Sequence, residues 1–269
     1  MKIGTREFDL EHEFYVMGIL NVTPDSFSDG GKYNDMDHAL RQAERMVEEG
    51  AGILDVGGES TRPNHIKISS AEEIDRVCPV IEALKARFDV PVSLDTYKSD
   101  VAEAGIAAGA DLLNDIWGLK WDGTMAKVIA QAGIPCCLMH NRKDMNYGHL
   151  MEDVLADMQE SVDMALAAGI AKEHIILDPG IGFAKDLEQN LSVMKHVGRL
   201  RELGYPVLLG TSRKSMIGLT LDLPVTEREE GTMTTSVMGL MAGCSIFRVH
   251  DVKINMRGLS MAQAILRAK

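Results

Sequence analysis

Short apolar runs recur along the whole chain, and a helical segment that ends in glycine precedes most of them. Each run is nearly continuous in apolar residues, which is typical of parallel strands that are buried on both faces. The eight runs cover residues 16–22, 53–56, 92–94, 112–113, 135–139, 175–177, 206–209 and 245–249. Because glycine reaches positive φ angles without steric cost, we predict that it ends a helix at six positions. These are Gly50, Gly109, Gly133, Gly169, Gly204 and Gly243.

Amphipathic segments fill the stretches between the apolar runs. In one of them Ala39, Ala43 and Met46 share a face, and charged residues cover the rest. Eight strands that alternate with eight helices in 269 residues predict an α/β fold, a closed (β/α)8 TIM barrel. We expect residues 1–269 to form a single domain with a short N-terminal extension. The alternative is an open doubly wound sheet, but that fold usually has a Gly-x-Gly-x-x-Gly turn after its first strand, and this sequence lacks one.

The charge of the chain narrows the classes of partner. Its 40 Asp and Glu residues against 28 Lys and Arg give a net charge of −12. An acidic surface disfavours non-specific binding to nucleic acid and to anionic membranes, so we expect neither as a partner. No stretch approaches the roughly 18 apolar residues of a membrane span, and the first ten residues lack a signal-peptide core. We therefore predict a cytoplasmic protein.

The number and spacing of the cysteines are those expected of a protein in a reducing compartment. Cys78, Cys136, Cys137 and Cys244 show no metal-type spacing. Cys136 and Cys137 are adjacent, so on a strand their side chains would point to opposite faces. We predict four reduced thiols, most of them buried.

Polar residues follow the apolar runs at the point where each predicted strand ends. They include Asn21, Asp55, Asp95, Asn114, His140, Asp178, Lys214, Arg248 and His250. In a TIM barrel the carboxyl ends of the strands meet at one mouth, where the active site lies. Several of these residues also have simpler interpretations, which the sequence leaves open. Asp178 could form only a turn, Asp95 could cap a helix, Lys214 could be solvated beside Arg213, and His250 could be a core histidine.

The types of side chain indicate two kinds of ligand. Asp95, Asn114 and Asp178 supply acceptors, and a carboxylate pairs bidentately with a heterocycle that presents a ring N–H beside an NH₂ group. Donors for an anionic group, and a ligand for a cation that would accompany it, are supplied by Arg248, His250, Arg62 and Asn21. The chain offers no arrangement typical of a covalent nucleophile. We therefore predict transfer between two bound substrates, driven by positioning and electrostatics.

Eight sequence blocks in a fixed order resemble the dihydropteroate synthase family. The first two are residues 17–31 (MGILNVTPDSFSDGG) and 55–63 (DVGGESTRP). The others are 93–96 (SLDT), 113–116 (LNDI), 138–140 (LMH), 177–183 (LDPGIGF), 210–215 (GTSRKS) and 247–251 (FRVHD). The resemblance implies a Mg²⁺-assisted transferase of folate synthesis. It would condense 6-hydroxymethyl-7,8-dihydropterin pyrophosphate with p-aminobenzoate to give 7,8-dihydropteroate and pyrophosphate.

The resemblance also implies that the chain forms a homodimer, and it implies roles for individual residues. The pterin ligands would be Asp95, Asn114, Ile116, Met139, Asp178, Phe183 and Lys214. The pyrophosphate ligands would be Asn21, Thr61, Arg248 and His250, with Asn21 also binding Mg²⁺. The p-aminobenzoate site would comprise Phe27, Arg62, Pro63, Lys214 and Ser215. The catalytic residues would be Asp25, Arg62, Lys214 and Arg248, and the loops 22–32 and 60–67 would close over the site.

One segment departs from the family pattern. After Met139 and His140 the family commonly continues Met-x-Gly, whereas this chain reads NRKDM over residues 141–145. We therefore expect an altered loop after the fifth strand, with the pocket residues intact. Two alternatives remain: a methyltetrahydrofolate:corrinoid methyltransferase on the same barrel, and a non-catalytic pterin-binding paralogue.

Overall fold

The computed structural model describes residues 1–22, 31–60 and 67–269. In this part of the chain the hairpin of β1 (Lys2–Ile3) and β2 (Arg6–Glu7) precedes eight parallel strands. The parallel strands are β3 (Tyr15–Asn21), β4 (Ile53–Gly57), β5 (Val92–Asp95), β6 (Leu112–Asp115), β7 (Cys136–Met139), β8 (Ile175–Asp178), β9 (Leu208–Leu209) and β10 (Ile246–Val249). Each lies on one of the predicted apolar runs, within one or two residues at its ends.

Helices follow the strands around the outside of the sheet. They are α1 (Gly31–Glu48), α2 (Ser70–Arg87), α3 (Ser99–Ala107), α4 (Met125–Ala132), α5 (Leu150–Ala167), α6 (Leu187–Lys195), α7 (Ser215–Leu221), α8 (Glu229–Met241) and α9 (Val252–Leu266). Both α7 and α8 lie between β9 and β10, so the expectation of one helix per strand is wrong at this connection. All six predicted glycines have positive φ angles, from 67° at Gly133 to 109° at Gly109.

The strands close into a barrel. Their order in the sheet is β8-β7-β6-β5-β4-β3-β10-β9, with every neighbouring pair parallel. A parallel bridge between Leu177 and Val207 joins the two outer strands, and the amide of Leu177 donates to the carbonyl oxygen of Pro206 at 3.0 Å. The prediction of a TIM barrel is confirmed.

Side chains alternate between the barrel interior and the surrounding helices. A fully buried cluster inside the barrel floor contains Met17, Ile53, Leu112, Cys137, Ile176, Leu208 and Ile246. Ile3, Phe8 and Leu10 of the N-terminal extension pack against the same cluster and close the bottom of the barrel. Two residues further along the strands the interior positions become polar, because a period of two returns to the same face. This step places Asp55, Asn114, Asp178 and Arg248 above the apolar floor.

The outward positions pack under the helices. Cys136 belongs to that outer cluster, whereas its neighbour Cys137 lies in the inner one. The prediction that these two thiols point to opposite faces is confirmed. All four cysteines are free, and three of them are buried. No helix in the described ranges is long and apolar enough to cross a membrane.

Candidate active site

An ion-pair network spans the mouth of the barrel. Arg248 on β10 donates from Nε to Asp55 Oδ2 at 2.6 Å and from Nη2 to Asp95 Oδ2 at 2.6 Å. Asp55 is fully buried, and its other oxygen accepts from the hydroxyl of Ser93 at 2.5 Å. Burial lowers the pKa of Arg248, but the carboxylates of Asp55 and Asp95 outweigh this and raise it. A guanidinium has five N–H donors, so three of those on Arg248 have no acceptor among residues 1–22, 31–60 and 67–269.

Asp95 presents an unused acceptor to the pocket. Its Oδ1 is buried, and no described residue donates a hydrogen bond to it. Burial raises the pKa of Asp95 to about 7, although the nearby Arg248 acts in the opposite direction. Helix α3 begins at Ser99 with Lys98 at its N-cap, so the interpretation of Asp95 as a helix cap is wrong. A buried acceptor without a partner is costly, which favours a ligand that donates to it.

A second carboxylate and a lysine face each other across the mouth. Asp178 Oδ1 accepts from the amide of Gly180 at 2.7 Å, so this residue does form a turn, but its side chain also lies inside the barrel. Burial raises the pKa of Asp178, and Lys214 opposes that shift. Lys214 Nζ donates to the carbonyl oxygen of Ile181 and lies 4.7 Å from the centre of the Phe183 ring. Burial lowers the pKa of Lys214 to about 8.

One wall of the mouth is apolar. Tyr97, Ile116 and Met139 form a buried cluster, with Trp117 and Phe183 packed against it. Asn114 lies in register with Asp95 on the neighbouring strand. The wall therefore stands beside polar groups that point into the same space. This combination suits a flat heterocycle with a hydrogen-bonding edge.

Side-chain contacts hold the loops that form this wall. Asp115 accepts from the amides of Trp117 at 2.8 Å and Leu119 at 2.6 Å, and burial raises its pKa to about 6. Asn141, in the segment that departs from the family pattern, donates from Nδ2 to the carbonyl oxygen of Ile116 at 3.1 Å. The altered segment therefore contacts the apolar wall directly. Ile116 and Met139 are both part of that wall, as the sequence predicts.

The described members of the set predicted for the anionic ligand, Asn21, Arg248 and His250, lie at the ends of β3 and β10. An added side chain on Gly57 would meet both Asn21 Oδ1 and Asp95 Oδ2 at 3.7 Å, so these two oxygens flank the same strand. His250 Nδ1 lies 2.9 Å from Ser212 Oγ.

Ser215, the first residue of α7, is exposed. Arg213 pairs with Glu229 at 2.5 Å, whereas Lys214 turns into the barrel, so the two do not form a solvated pair.

Five of the predicted site residues lie outside the described residues: Asp25, Phe27, Thr61, Arg62 and Pro63. Hydrogen bonds of Glu59 link the described residues on either side of segment 61–66. Its carboxylate accepts from the amide of Ile68 at 3.1 Å and from Lys98 Nζ at 2.7 Å. Lys98 also donates to the carbonyl oxygen of Ile68 at 2.8 Å.

Gly180 is the position where the loop after β8 most needs glycine. Its φ angle is +65°, and an added Cβ would overlap the carbonyl oxygen of His140. We expect Gly180→Ala to lower the free energy of unfolding by more than about 3 kcal/mol, because strain and overlap add. The measurement is urea unfolding followed by circular dichroism. The control is Gly133→Ala, with a φ of +67° but no described atom within 4 Å of the added Cβ, where a loss of only about 1 kcal/mol is expected. Equal losses in the two variants would contradict the account.

Comparisons with known proteins agree on one family. A family model described as pterin binding enzyme matches residues 17–250. The dihydropteroate synthase of Clostridium beijerinckii is 58% identical over 268 residues, which is 99% of this chain and 100% of that protein. The chain belongs to the dihydropteroate synthase family. It is therefore a transferase, as the sequence blocks imply.

Solved structures of dihydropteroate synthases have the same fold. The Clostridium difficile enzyme, crystallised in the presence of pteroic acid, superimposes with a TM-score of 0.95 at 49% identity. That match covers 97% of this chain and 100% of the other. The Yersinia pestis enzyme in a sulfonamide complex gives a TM-score of 0.93 at 44% identity, covering 100% of this chain and 99% of the other.

Proposed function

We propose that the barrel mouth condenses 6-hydroxymethyl-7,8-dihydropterin pyrophosphate with p-aminobenzoate, giving 7,8-dihydropteroate and pyrophosphate. The observation that carries this proposal is the buried Oδ1 of Asp95, which has no hydrogen-bond partner in the described part of the chain and lies beside the Arg248 guanidinium. It puts an acceptor for a pterin edge next to a cation for a leaving pyrophosphate. The pteroic acid and sulfonamide of the two solved relatives support the proposal, since pteroic acid contains both a pterin and an aminobenzoate.

The pterin would lie against the apolar wall with its polar edge toward the strand ends. Asp95, Asn114 and Asp178 would accept its N–H groups, and a carboxylate suits a ring N–H beside an exocyclic NH₂. Ile116, Met139 and Phe183 would contact its faces. Lys214, held between Phe183 and the Ile181 carbonyl, would add a positive charge at the rim of the same pocket.

The pyrophosphate would leave on the side of Arg248. This residue and His250, with Thr61, would bind the phosphate oxygens and stabilise the charge that develops as the C–O bond breaks. Asn21 fits a single protein ligand for Mg²⁺: it lies at the open end of β3, and no described residue hydrogen-bonds to its side chain. Mg²⁺ is usually held by few protein ligands together with substrate phosphates. When bound, it would neutralise charge on the leaving group.

The arylamine would then attack the pterin carbon, forming the C–N bond and releasing one amine proton to water. The p-aminobenzoate site would be formed by Lys214 and Ser215 together with Phe27, Arg62 and Pro63. Asp25, in segment 22–32, would be a further catalytic residue. The electron-rich pterin ring stabilises the positive charge that remains after pyrophosphate departs. The protein therefore needs no covalent nucleophile in this scheme and contributes positioning and electrostatics.

A product assay tests the proposal. Purified protein is incubated with the pterin pyrophosphate, p-aminobenzoate and Mg²⁺, and the mixture is separated by chromatography. We expect dihydropteroate, and its loss when Mg²⁺ is chelated. Pterin binding without any product would overturn the proposal in favour of the pterin-binding paralogue, and methyl transfer from methyltetrahydrofolate would favour the methyltransferase.

The shifted pKa values predict a bell-shaped pH profile. Asp95 accepts hydrogen bonds from the pterin as a carboxylate, so kcat/KM should rise as pH passes its pKa of about 7. Lys214 acts as a cation, so kcat/KM should fall as pH passes its pKa of about 8. The measurement is kcat/KM for the pterin substrate between about pH 5.5 and 9.5. Lys214→Arg should remove the falling limb, because a guanidinium stays charged. A profile that Lys214→Arg leaves unchanged would contradict the role of Lys214.

We further propose that residues 1–269 form one domain that acts as a homodimer in the cytoplasm. Exposed apolar side chains on three consecutive helices support the dimer: Leu219 of α7 is 66% exposed, Met241 of α8 is 67% exposed, and Met261 and Ile265 of α9 are also exposed. A dimer would bury such side chains together. Sedimentation velocity should give twice the chain mass, and Met241→Lys with Met261→Lys should reduce it to one chain mass. A single-chain mass for the unsubstituted protein would overturn the dimer.

A further inference from the structure

A buried lysine lies behind the pterin pocket, outside the residues assigned so far. Lys185 is only 7% exposed. Its Nζ donates to three acceptors: His140 Nδ1 at 2.8 Å, the carbonyl oxygen of Gly180 at 3.0 Å and that of Phe183 at 3.1 Å. An ammonium group has three N–H donors, and each therefore has a protein acceptor. Buried lysines are rare unless they are paired in this way.

The chain bends tightly around this ammonium group. In the loop between β8 and α6, Gly180, Gly182 and Ala184 have φ angles of +65°, +83° and +48°. A positive φ at alanine is strained and persists only where surrounding contacts hold it. Two such contacts are visible: Lys185 binds the carbonyl groups on either side of Gly182, and the hydroxyl of Tyr147 donates to the carbonyl oxygen of Ala184 at 2.9 Å.

A histidine and an aspartate fix the far side of the lysine. His140 Nε2 lies 3.0 Å from Asp157 Oδ2, and the same oxygen accepts from Arg142 Nε at 2.8 Å. Because a carboxylate can only accept, the single proton of a neutral His140 ring is on Nε2 and points at Asp157, and Nδ1 accepts from Lys185. Burial lowers the pKa of Lys185 to about 7, and three acceptors around its one nitrogen require the ammonium form. Burial lowers the pKa of His140 to about 4, which agrees with a neutral ring.

The loop around Lys185 carries groups of the proposed pterin site. The amide of Gly180 donates to Asp178 Oδ1 at 2.7 Å, the carbonyl oxygen of Ile181 accepts from Lys214, and the Phe183 ring lies 4.7 Å from Lys214 Nζ. A change in the loop would therefore move Asp178, Phe183 and Lys214 together. The ammonium group of Lys185 is itself directed at its three acceptors.

We infer that Lys185 is a positioning residue for the transfer reaction, whose ammonium group shapes the loop that presents Asp178, Phe183 and Lys214 to the pterin. The inference rests on the proposed pterin role of those three residues. The N–H donors of the ammonium group are responsible for this positioning, because they form hydrogen bonds to two carbonyl oxygens and to a histidine nitrogen. An apolar side chain of the same length would leave His140 Nδ1 and the carbonyl oxygen of Phe183 without a donor among the described residues, whereas the carbonyl oxygen of Gly180 would keep the amide of Phe183 at 3.1 Å.

Rescue by an added amine tests the donor function. Lys185→Ala removes the atoms that n-propylammonium contains, so the free amine can occupy the vacated space. We expect Lys185→Ala to lower kcat/KM for the pterin substrate by about 100-fold, as misplaced groups do, and n-propylammonium to restore much of it. Tetramethylammonium, which has no N–H donor, should restore nothing. The control is Lys172→Ala near the start of β8, whose Nζ lies 5.5 Å from the Tyr205 ring centre and which should be unaffected by substitution or amine.

The outcomes separate this inference from the proposed function. Native activity in Lys185→Ala, or a folded variant that neither amine rescues, would overturn the inference. If Lys185→Ala does not fold, the ¹⁵N shifts of His140 in the unsubstituted protein decide. A neutral ring protonated at Nε2 supports the network, and a ring protonated at Nδ1 overturns it. Failure of the unsubstituted protein to form dihydropteroate would overturn the proposed function, while the His140 signal would still report on the Lys185 network.

Discussion

Arg248→Met is expected to lower kcat by about 10²–10³-fold, with a much smaller loss of affinity for the free pterin alcohol. The reason is that, in the proposed reaction, the remaining N–H donors of Arg248 would stabilise the charge that develops on the departing pyrophosphate, which the alcohol lacks. The measurements are steady-state turnover and calorimetric titration with the pterin alcohol. Equal losses in turnover and in pterin affinity would contradict the assignment.

The same substitution is expected to destabilise the fold, and this effect can be separated from catalysis. The side chain of Arg248 is 17% exposed and pairs with the buried carboxyl groups of Asp55 and Asp95, so Arg248→Met leaves both without their guanidinium partner and should cost about 3–5 kcal/mol of unfolding free energy. Adding Asp55→Asn removes the charge of the fully buried carboxylate and should recover part of the stability without recovering turnover. Arg199→Met, which breaks an exposed pair with Glu152, serves as the control and should cost no more than about 1 kcal/mol. Recovery of turnover in the double variant would show that Arg248 acts only through stability.

Asp95→Asn is expected to abolish measurable pterin binding. The buried Oδ1 of Asp95 has no partner among the described residues, so it is the acceptor that a pterin edge would use. An amide in its place offers one acceptor and a donor that opposes the donors of the pterin. Loss of a buried, charge-assisted pair costs about 2–5 kcal/mol.

Calorimetry with the pterin alcohol measures this loss, and urea unfolding confirms that the variant is folded. Asp163→Asn is the matched control, because Asp163 is exposed on α5 and, among the residues that the structure describes, accepts only from Gln159 at 2.8 Å. It should bind pterin as the unsubstituted protein does. Near-native pterin affinity in Asp95→Asn would exclude Asp95 as a pterin ligand.

The barrel could be predicted from the sequence because its signals are local. A glycine after an amphipathic segment can take the positive φ that ends a helix, and all six predicted glycines do so. The polar residues at the strand ends were also predictable, since any parallel barrel brings those ends together. The additional helix α7 was not predicted, because Ser215–Leu221 lies within a segment that reads as a single connection between two strands.

The contacts inside the mouth were not predictable from the sequence. Strands buried on both faces lack the alternation that would separate inward from outward positions, so nothing marked Asp55 as the partner of Arg248. Lys185 follows a glycine-rich turn and resembles a surface lysine, which is where most lysines lie. Its burial depends on His140, 45 residues earlier, and no local pattern links the two. The roles of Asp25, Phe27, Thr61, Arg62 and Pro63 stay predictions.

The order of bond breaking is the central claim of the mechanism, and isotope scrambling tests it most directly. The pterin pyrophosphate is labelled with ¹⁸O at the oxygen that bridges carbon and phosphorus, and is incubated with protein and Mg²⁺ without p-aminobenzoate. If pyrophosphate departs before the amine attacks, the freed group rotates and returns, and the label should move to non-bridging positions in recovered substrate. Arg248→Met should slow this exchange in parallel with turnover. Recovered substrate with all its label still bridging, under conditions that form dihydropteroate once p-aminobenzoate is added, would contradict departure before attack.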